Sequence, residues 1–183
     1  IFILILFFQS SSTADDISEF QIEGISIGDS ALNFFSKEEI INNKVEYYKR
    51  NEYSTSLIYG SFNNYNAIQI SYLTNDKKFK IVDLTAIVDY ENNIEQCFNE
   101  IDNIAHEIRS IFKDVDQSGK INEKHPADKT GKSKTVSYDF YFASGDWIYV
   151  SCFDWSDEIE YYDNLRLVIG TKVFTDWLET AYK

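Results

Sequence analysis

The residues of this chain best equipped to hold a ligand are rings. Tyr138, Phe140 and Phe142 alternate along one stretch, and Trp147, Tyr149, Phe153 and Trp155 alternate along the next. A strand sends successive side chains to opposite faces, so each set forms a row. An aromatic row left uncovered beside Asp139 or Asp154 would stack a sugar or another apolar ligand. The competing expectation is that these rings fill the core or lie beneath a closing helix. A second candidate is basic. Lys120, Lys124, Lys129, Lys132 and Lys134, with His125 among them, stand against Glu123 and Asp128. That loop either contacts an anionic partner or lipid surface, or is an ordinary solvated turn.

Three motifs point toward reaction chemistry or ion binding, and each is incomplete. Gly28-Asp29-Ser30 follows an apolar stretch and resembles the nucleophile block of the GDSL (SGNH) esterases. Such a serine needs a distal Asp-x-x-His, and neither His106 nor His125 has an Asp three positions earlier. A helix N-cap at Asp29 or Ser30 explains the triplet without chemistry. Asp114, Asp116, Ser118, Lys120 and Asn122 resemble the first nine positions of an EF-hand calcium loop, with the turn glycine at Gly119. The twelfth position, which needs a bidentate Glu, is His125, and Pro126 opposes an exiting helix. No cofactor is implied beyond a weakly held calcium ion, and a polar turn is the competing expectation. Thr130-Gly131-Lys132-Ser133 ends like a P-loop but lacks its first glycine and its preceding strand.

These residues must be carried by strands and helices that the hydrophobic periodicity lays out. Ser36 and Glu39 form a capping box that starts a short helix ending near Asn42. Period-two alternation predicts strands over Tyr53–Phe62, Ala67–Thr74 and Lys80–Tyr90, separated by turn-prone Asn63-Asn64 and Asn75-Asp76. Apolar residues at helical spacing from Ile94 to Phe112 predict a long helix over Asn93–Lys113. A polar loop over Asp114–Lys134 follows. Strands resume over Thr135–Ala143, Asp146–Trp155 and Asp163–Thr171, and Val173–Tyr182 closes as an amphipathic helix. Short turns within each triplet require antiparallel pairing. The expected class is α+β, helix-βββ-helix-βββ-helix, with a largely antiparallel sheet of about six strands and the long helix on one face.

That arrangement gives the two cysteines a meaning. Cys97 lies on the buried stripe of the long helix, and Cys152 alternates in phase with Ile148 and Val150. Both therefore face the same helix-to-sheet interface, where a disulfide closing roughly 55 residues contributes about 4 kcal/mol by loop entropy. Two separate buried thiols are the alternative.

The compartment is read from the start of the chain. IFILILFF followed by QSSSTA has the form of a signal h-region and c-region, with Ser12 and Ala14 suited to cleavage before Asp15. Residues 1–14 are thus expected to be a signal remnant lacking its true start, and residues 15–183 a single domain. The apolar run is too short for a membrane span. A net charge of −13 with only Arg50, Arg109 and Arg166 as arginines excludes nucleic acid as a partner.

The segments HPADKTGKSK, SYDFYFASGDWIYVSCFDWS, DNLRLVIGTK and DWLETAY, with the opening IEGISIGDSALNFFSKEEI, resemble a set of small exported proteins of marine alphaproteobacteria of the Pelagibacter type. The resemblance implies periplasmic or secreted placement and a shared fold, and carries over no catalytic residue. Two functional expectations follow. One is a non-enzymatic binding or interaction module with an extracytoplasmic ligand or protein partner. The other is a hydrolase in which His125, or Asp139 with Asp154, converges in a pocket with shifted ionisation.

Overall fold

A computed structural model describes residues 17–91 and 93–183; the signal remnant expected at 1–14 lies outside the described residues. In chain order the elements are α1 (Lys37–Asn42), β1 (Lys44–Val45), β2 (Tyr53–Tyr59), β3 (Ala67–Leu73), β4 (Ile81–Asp89), α2 (Ile94–Ile111), β5 (Asp116–Gln117), β6 (Ile121–Lys124), β7 (Lys134–Tyr141), β8 (Trp147–Asp154), β9 (Asn164–Gly170) and α3 (Lys172–Ala181). One antiparallel sheet joins all the strands in the order β1-β2-β3-β4-β9-β8-β7, with β5 and β6 both on the outer edge of β7. Two meanders, β2-β3-β4 and β7-β8-β9, thus meet where β4 pairs β9. The α+β class and the antiparallel sheet are as expected. Among the described residues the sheet has nine strands rather than six, because β1, β5 and β6 are short and polar and carry little alternation.

Local chemistry explains the helix ends. Ser36 accepts the Glu39 amide at 3.1 Å, while the Glu39 carboxylate accepts the Ser36 amide at 3.0 Å, completing the capping box that opens α1. Asn93 accepts the Gln96 amide at 3.2 Å and opens α2. Gly28-Asp29-Ser30 opens no α-helix. It leads into a single 3-10 turn over Ala31–Asn33; Asp29 accepts the Ser26 amide, and the Ser30 hydroxyl donates to the Lys78 carbonyl at 2.6 Å.

One face of the sheet carries Ile68, Ile70, Leu84, Ala86, Ile148, Val150, Leu165 and Leu167, buried in one core with Cys97, Ile101, Ala105 and Ile108 of α2. Tyr138, Phe140 and Phe142 belong to this core. Cys97 and Cys152 meet across it, sulfur to sulfur at bonding distance, with Cα atoms 6.0 Å apart. On the opposite face α3 covers one end, where Phe174, Trp177 and Ala181 are buried against Tyr53 and Tyr48. No helix among the described residues is long and apolar enough to cross a membrane.

Candidate ligand-binding site

The face of β7-β8-β9 opposite α2 is built by the register. Trp147, Tyr149, Ser151 and Phe153 of β8 stand on it, flanked by Asp139, Ser137 and Thr135 of β7 and by Val168, Arg166 and Asn164 of β9. The α3 helix reaches only its near end, where the Trp147 indole N–H donates to the Thr175 hydroxyl at 2.6 Å. Gly170, cross-strand from Trp147, leaves room for that indole, which a Cβ at 170 would strike. Beyond Trp147 the face is closed over Ser137, Ser151, Thr135, Asn164 and Phe153, which are buried, while Tyr149, Arg166 and Val168 are partly exposed.

At the far end, rings assemble. His125 lies 4.2 Å from Trp155 and 5.3 Å from Phe153, centroid to centroid, and Phe153 is stacked with Trp155 at 14°. Tyr161 adds a fourth ring 4.9 Å from Trp155. Trp155 is held by its amide, which donates to Asp163 at 2.7 Å. His125 is held by the HPADKTGKS turn. There the carboxylate of Asp128 accepts the amides of Thr130 and Ser133 at 2.7 Å each and that of Lys132 at 3.1 Å. These donors hold the Asp128 carboxyl well below the usual carboxylate range. Gly131 supplies the positive φ of +69° that the turn requires. The His125 amide donates to the Ser133 carbonyl, and its Nδ1 accepts the Ala127 amide at 3.2 Å, which places the remaining ring proton on Nε2.

Arg166 forms the floor. Its Cζ lies 4.9 Å from the Phe153 ring centre, and its Nε donates to Asn164 Oδ1 at 3.0 Å. The Asn164 amide is oriented by its own donation to the Tyr162 carbonyl. Among the described residues no carboxylate stands within ion-pair distance of the guanidinium, and its two terminal nitrogens have no acceptor. Tyr47, Tyr149, Tyr59 and Asp89 act on the charge from farther away. Burial lowers the Arg166 pKa from its ordinary value. Burial, and next the Arg166 charge, likewise depress His125, which is therefore neutral near pH 7. Three buried polar atoms of this region have no hydrogen-bond partner among the described residues: Ser151 Oγ, Thr135 Oγ1 and Trp155 Nε1. The Tyr149 hydroxyl leans toward Ser151 and Ser137 without satisfying Ser151.

The residues singled out in the sequence are thus partly united. Trp147, Tyr149 and Trp155 share one face, and Asp139 sits cross-strand from Tyr149 on it, its carboxyl pushed up by burial. Asp154 does not join them. It lies on the other face, cross-strand from Lys134, because it follows Phe153 by one residue. The expected convergence of Asp139 with Asp154 is therefore corrected. His125 meets rings instead of a carboxylate partner. The lysine loop is partly neutralised, with Lys120 ion-paired to Asp102 at 2.7 Å and Lys132 to Glu158; Lys124, Lys129 and Lys134 stay outside ion pairs among the described residues. Asp114 precedes β5, Asp116 lies in it and Asn122 lies in β6, so the expected loop is instead two strands edging β7. Ser118 accepts the Asp139 amide at 2.9 Å. Among the described residues, no group of three or more His, Cys, Asp or Glu could hold a metal ion.

Sequence reasoning passed over Arg166. The available signal was its place between Leu165 and Leu167, which sends it to the face opposite the core. A second polar assembly was also missed. Beneath α3, Ser71 donates to Asp83 at 3.5 Å, the Ser71 and Thr55 hydroxyls share a hydrogen bond at 2.9 Å, and Thr55 donates to Tyr48 at 3.3 Å. Asp83 is 5% exposed, and burial pushes its carboxyl up to about 7. A β-bulge places Val82 and Asp83 together at this point.

Comparison with protein-family models, curated proteins and solved structures finds no match.

Proposed function

We propose that this chain is a non-enzymatic binding module working in the periplasm or outside the cell, and that the ring cluster at the far end of β7-β8-β9 is its ligand site. The observation that carries this reading is the His125–Trp155–Phe153 stack with exposed Tyr161 beside it. Rings supply flat apolar area at little entropic cost, and a few fixed polar groups orient what lies on them. The groups that meet here are rings and hydrogen-bond donors rather than a nucleophile beside a base. The meeting of Cys97 and Cys152 supports an oxidising compartment. The test is a screen of glycans and peptidoglycan fragments by ligand-observed NMR and tryptophan fluorescence, on the wild type and Trp155→Ala. A ligand that binds the wild type and is lost from Trp155→Ala supports the site. Ligands that bind both proteins equally would place recognition elsewhere.

A further inference from the structure

We propose that the cavity between β4 and α2 is a second site, separate from the ring cluster, and that it takes a primary ammonium group of a linear aliphatic diamine.

The first argument is the cavity and the hydroxyls that reach it. Tyr65, in the connection between β2 and β3, and Tyr90, just after β4, line it together with Glu100 and Ile104 of α2. Both tyrosines are more than nine-tenths buried, 8% and 9% exposed. Yet neither hydroxyl bonds to a described residue, and neither is among the polar atoms sealed from solvent. A buried phenol that lacks a partner and keeps accessible surface points into the space it lines. The Asn64 side chain lines the same space. The wall is fixed from behind: the Glu23 carboxylate accepts the Asn64 amide at 3.0 Å and the Asn63 side chain at 2.7 Å, and the Tyr90 amide donates to the Asp163 carbonyl at 2.7 Å.

The second argument is charge. Glu100 brings a carboxylate to the cavity and has no ion pair among the described residues. Burial, and after it Glu23, Glu100 and Glu107, hold the Tyr65 phenol above its ordinary value, while burial with Glu100 pushes Tyr90 up to about 12. Every charge acting on these two phenols is thus a carboxylate, and no lysine or arginine lines the space. An ammonium carries donors alone, and a carboxylate, a phenol oxygen and an amide carbonyl all accept.

The third argument is size. The cavity holds about 20 Å³, room for one water-sized group. A primary ammonium has that size, and a trimethylated head exceeds it. Val88 and Tyr90 also border an open groove of about 420 Å³, where Asp89 and Glu91 stand. The groove gives an alkyl chain its exit and a second positive charge its seat. Asp89 senses Glu91 and, with opposite sign, Arg166, so the groove stays net negative.

The experiment titrates the full protein with putrescine, n-butylamine, 1-butanol and potassium chloride at constant ionic strength, read by calorimetry and ligand-observed NMR. The proteins are the wild type, Glu100→Gln, Tyr65→Phe, Glu38→Gln on the exposed side of α1, and Trp155→Ala. In the wild type n-butylamine should bind at least about tenfold tighter than 1-butanol, the order of a charge-assisted contact, and putrescine tighter again. Glu100→Gln should bring n-butylamine down to the butanol level, and Tyr65→Phe should weaken it about tenfold. Glu38→Gln and Trp155→Ala should change nothing. Equal loss in Glu38→Gln and Glu100→Gln would reduce the effect to the general field of an acidic chain and overturn the site. Amine binding lost in Trp155→Ala and kept in Glu100→Gln would move the amine to the ring cluster, overturning this site and leaving that one. Potassium held as tightly as n-butylamine would overturn the amine, and putrescine held no tighter than n-butylamine would overturn the diamine. No amine binding at millimolar concentration would end the proposal and leave the ring cluster untouched. Thermal melts verify that each variant folds, and Tyr65→Phe keeps the test decisive if Glu100→Gln does not.

Discussion

The guanidinium carbon of Arg166 stands 4.9 Å from the centre of the Phe153 ring, so the charge rests on a π face where an ion pair would ordinarily be found. The Phe153→Leu variant keeps apolar volume and removes the quadrupole. It should lose about 1 kcal/mol of stability, the usual size of a partly buried cation–π contact, together with some packing. Urea unfolding of both proteins measures this, and equal midpoints would reduce the ring to filler.

Asp83 should make stability fall as pH rises. Its carboxyl is raised to about 7 when folded, against about 3.9 in an unfolded chain. The folded state therefore holds a proton that the unfolded state has released. The stability this confers is full below about pH 4 and is lost by about pH 7, a change on the order of 4 kcal/mol. Asp83→Asn cannot ionise, so it should melt above the wild type at pH 8 and lose that advantage at pH 4. Melting curves that stay parallel across this range would refute the assignment.

His125 should titrate below its ordinary midpoint, since burial and the Arg166 charge both disfavour its protonated form, against weaker opposing effects of Asp128 and Glu123. The sign for stability is the reverse of that for Asp83. What His125 contributes is present above about pH 6.5 and is lost as pH falls through its lower folded midpoint. Imidazole NMR signals report the midpoint directly. Arg166→Gln should move it upward, and an unmoved midpoint would show that the two groups do not sense each other.

The sulfur atoms of Cys97 and Cys152 should be unavailable to a thiol reagent even after unfolding, provided no reductant is present. Two labelled thiols per chain would disprove the bond. Reduction should lower stability by about 4 kcal/mol for a loop of this length, measurable as a shifted denaturant midpoint.

How much of this was legible depends on how locally each feature is specified. The capping box at Ser36 and Glu39 is written within four residues and was readable. The meeting of Cys97 and Cys152 was readable because two strong periods, helical around Cys97 and alternating around Cys152, each fix a face. The strands Asp116–Gln117 and Ile121–Lys124 were not, since what makes them strands is pairing with β7 rather than their own composition. Asp154 was misplaced by one step of alternation, which sends it to the face away from Trp147 and Tyr149. Arg166 went unrecognised as a site residue because its charge was weighed across the whole chain. Its importance comes from the want of a counter-ion among the described residues, and only the fold reveals that.

The brevity of the outermost strands has a further meaning. β1 shields the middle of β2 with two residues, while β5 and β6 divide the margin of β7 between them. Lys44, Glu123 and Lys124 place exposed charge on these borders. A sheet of nine strands is thereby denied a long, flat rim on which another chain could template itself, a safeguard against fibrous self-association for a protein so rich in tyrosine and phenylalanine.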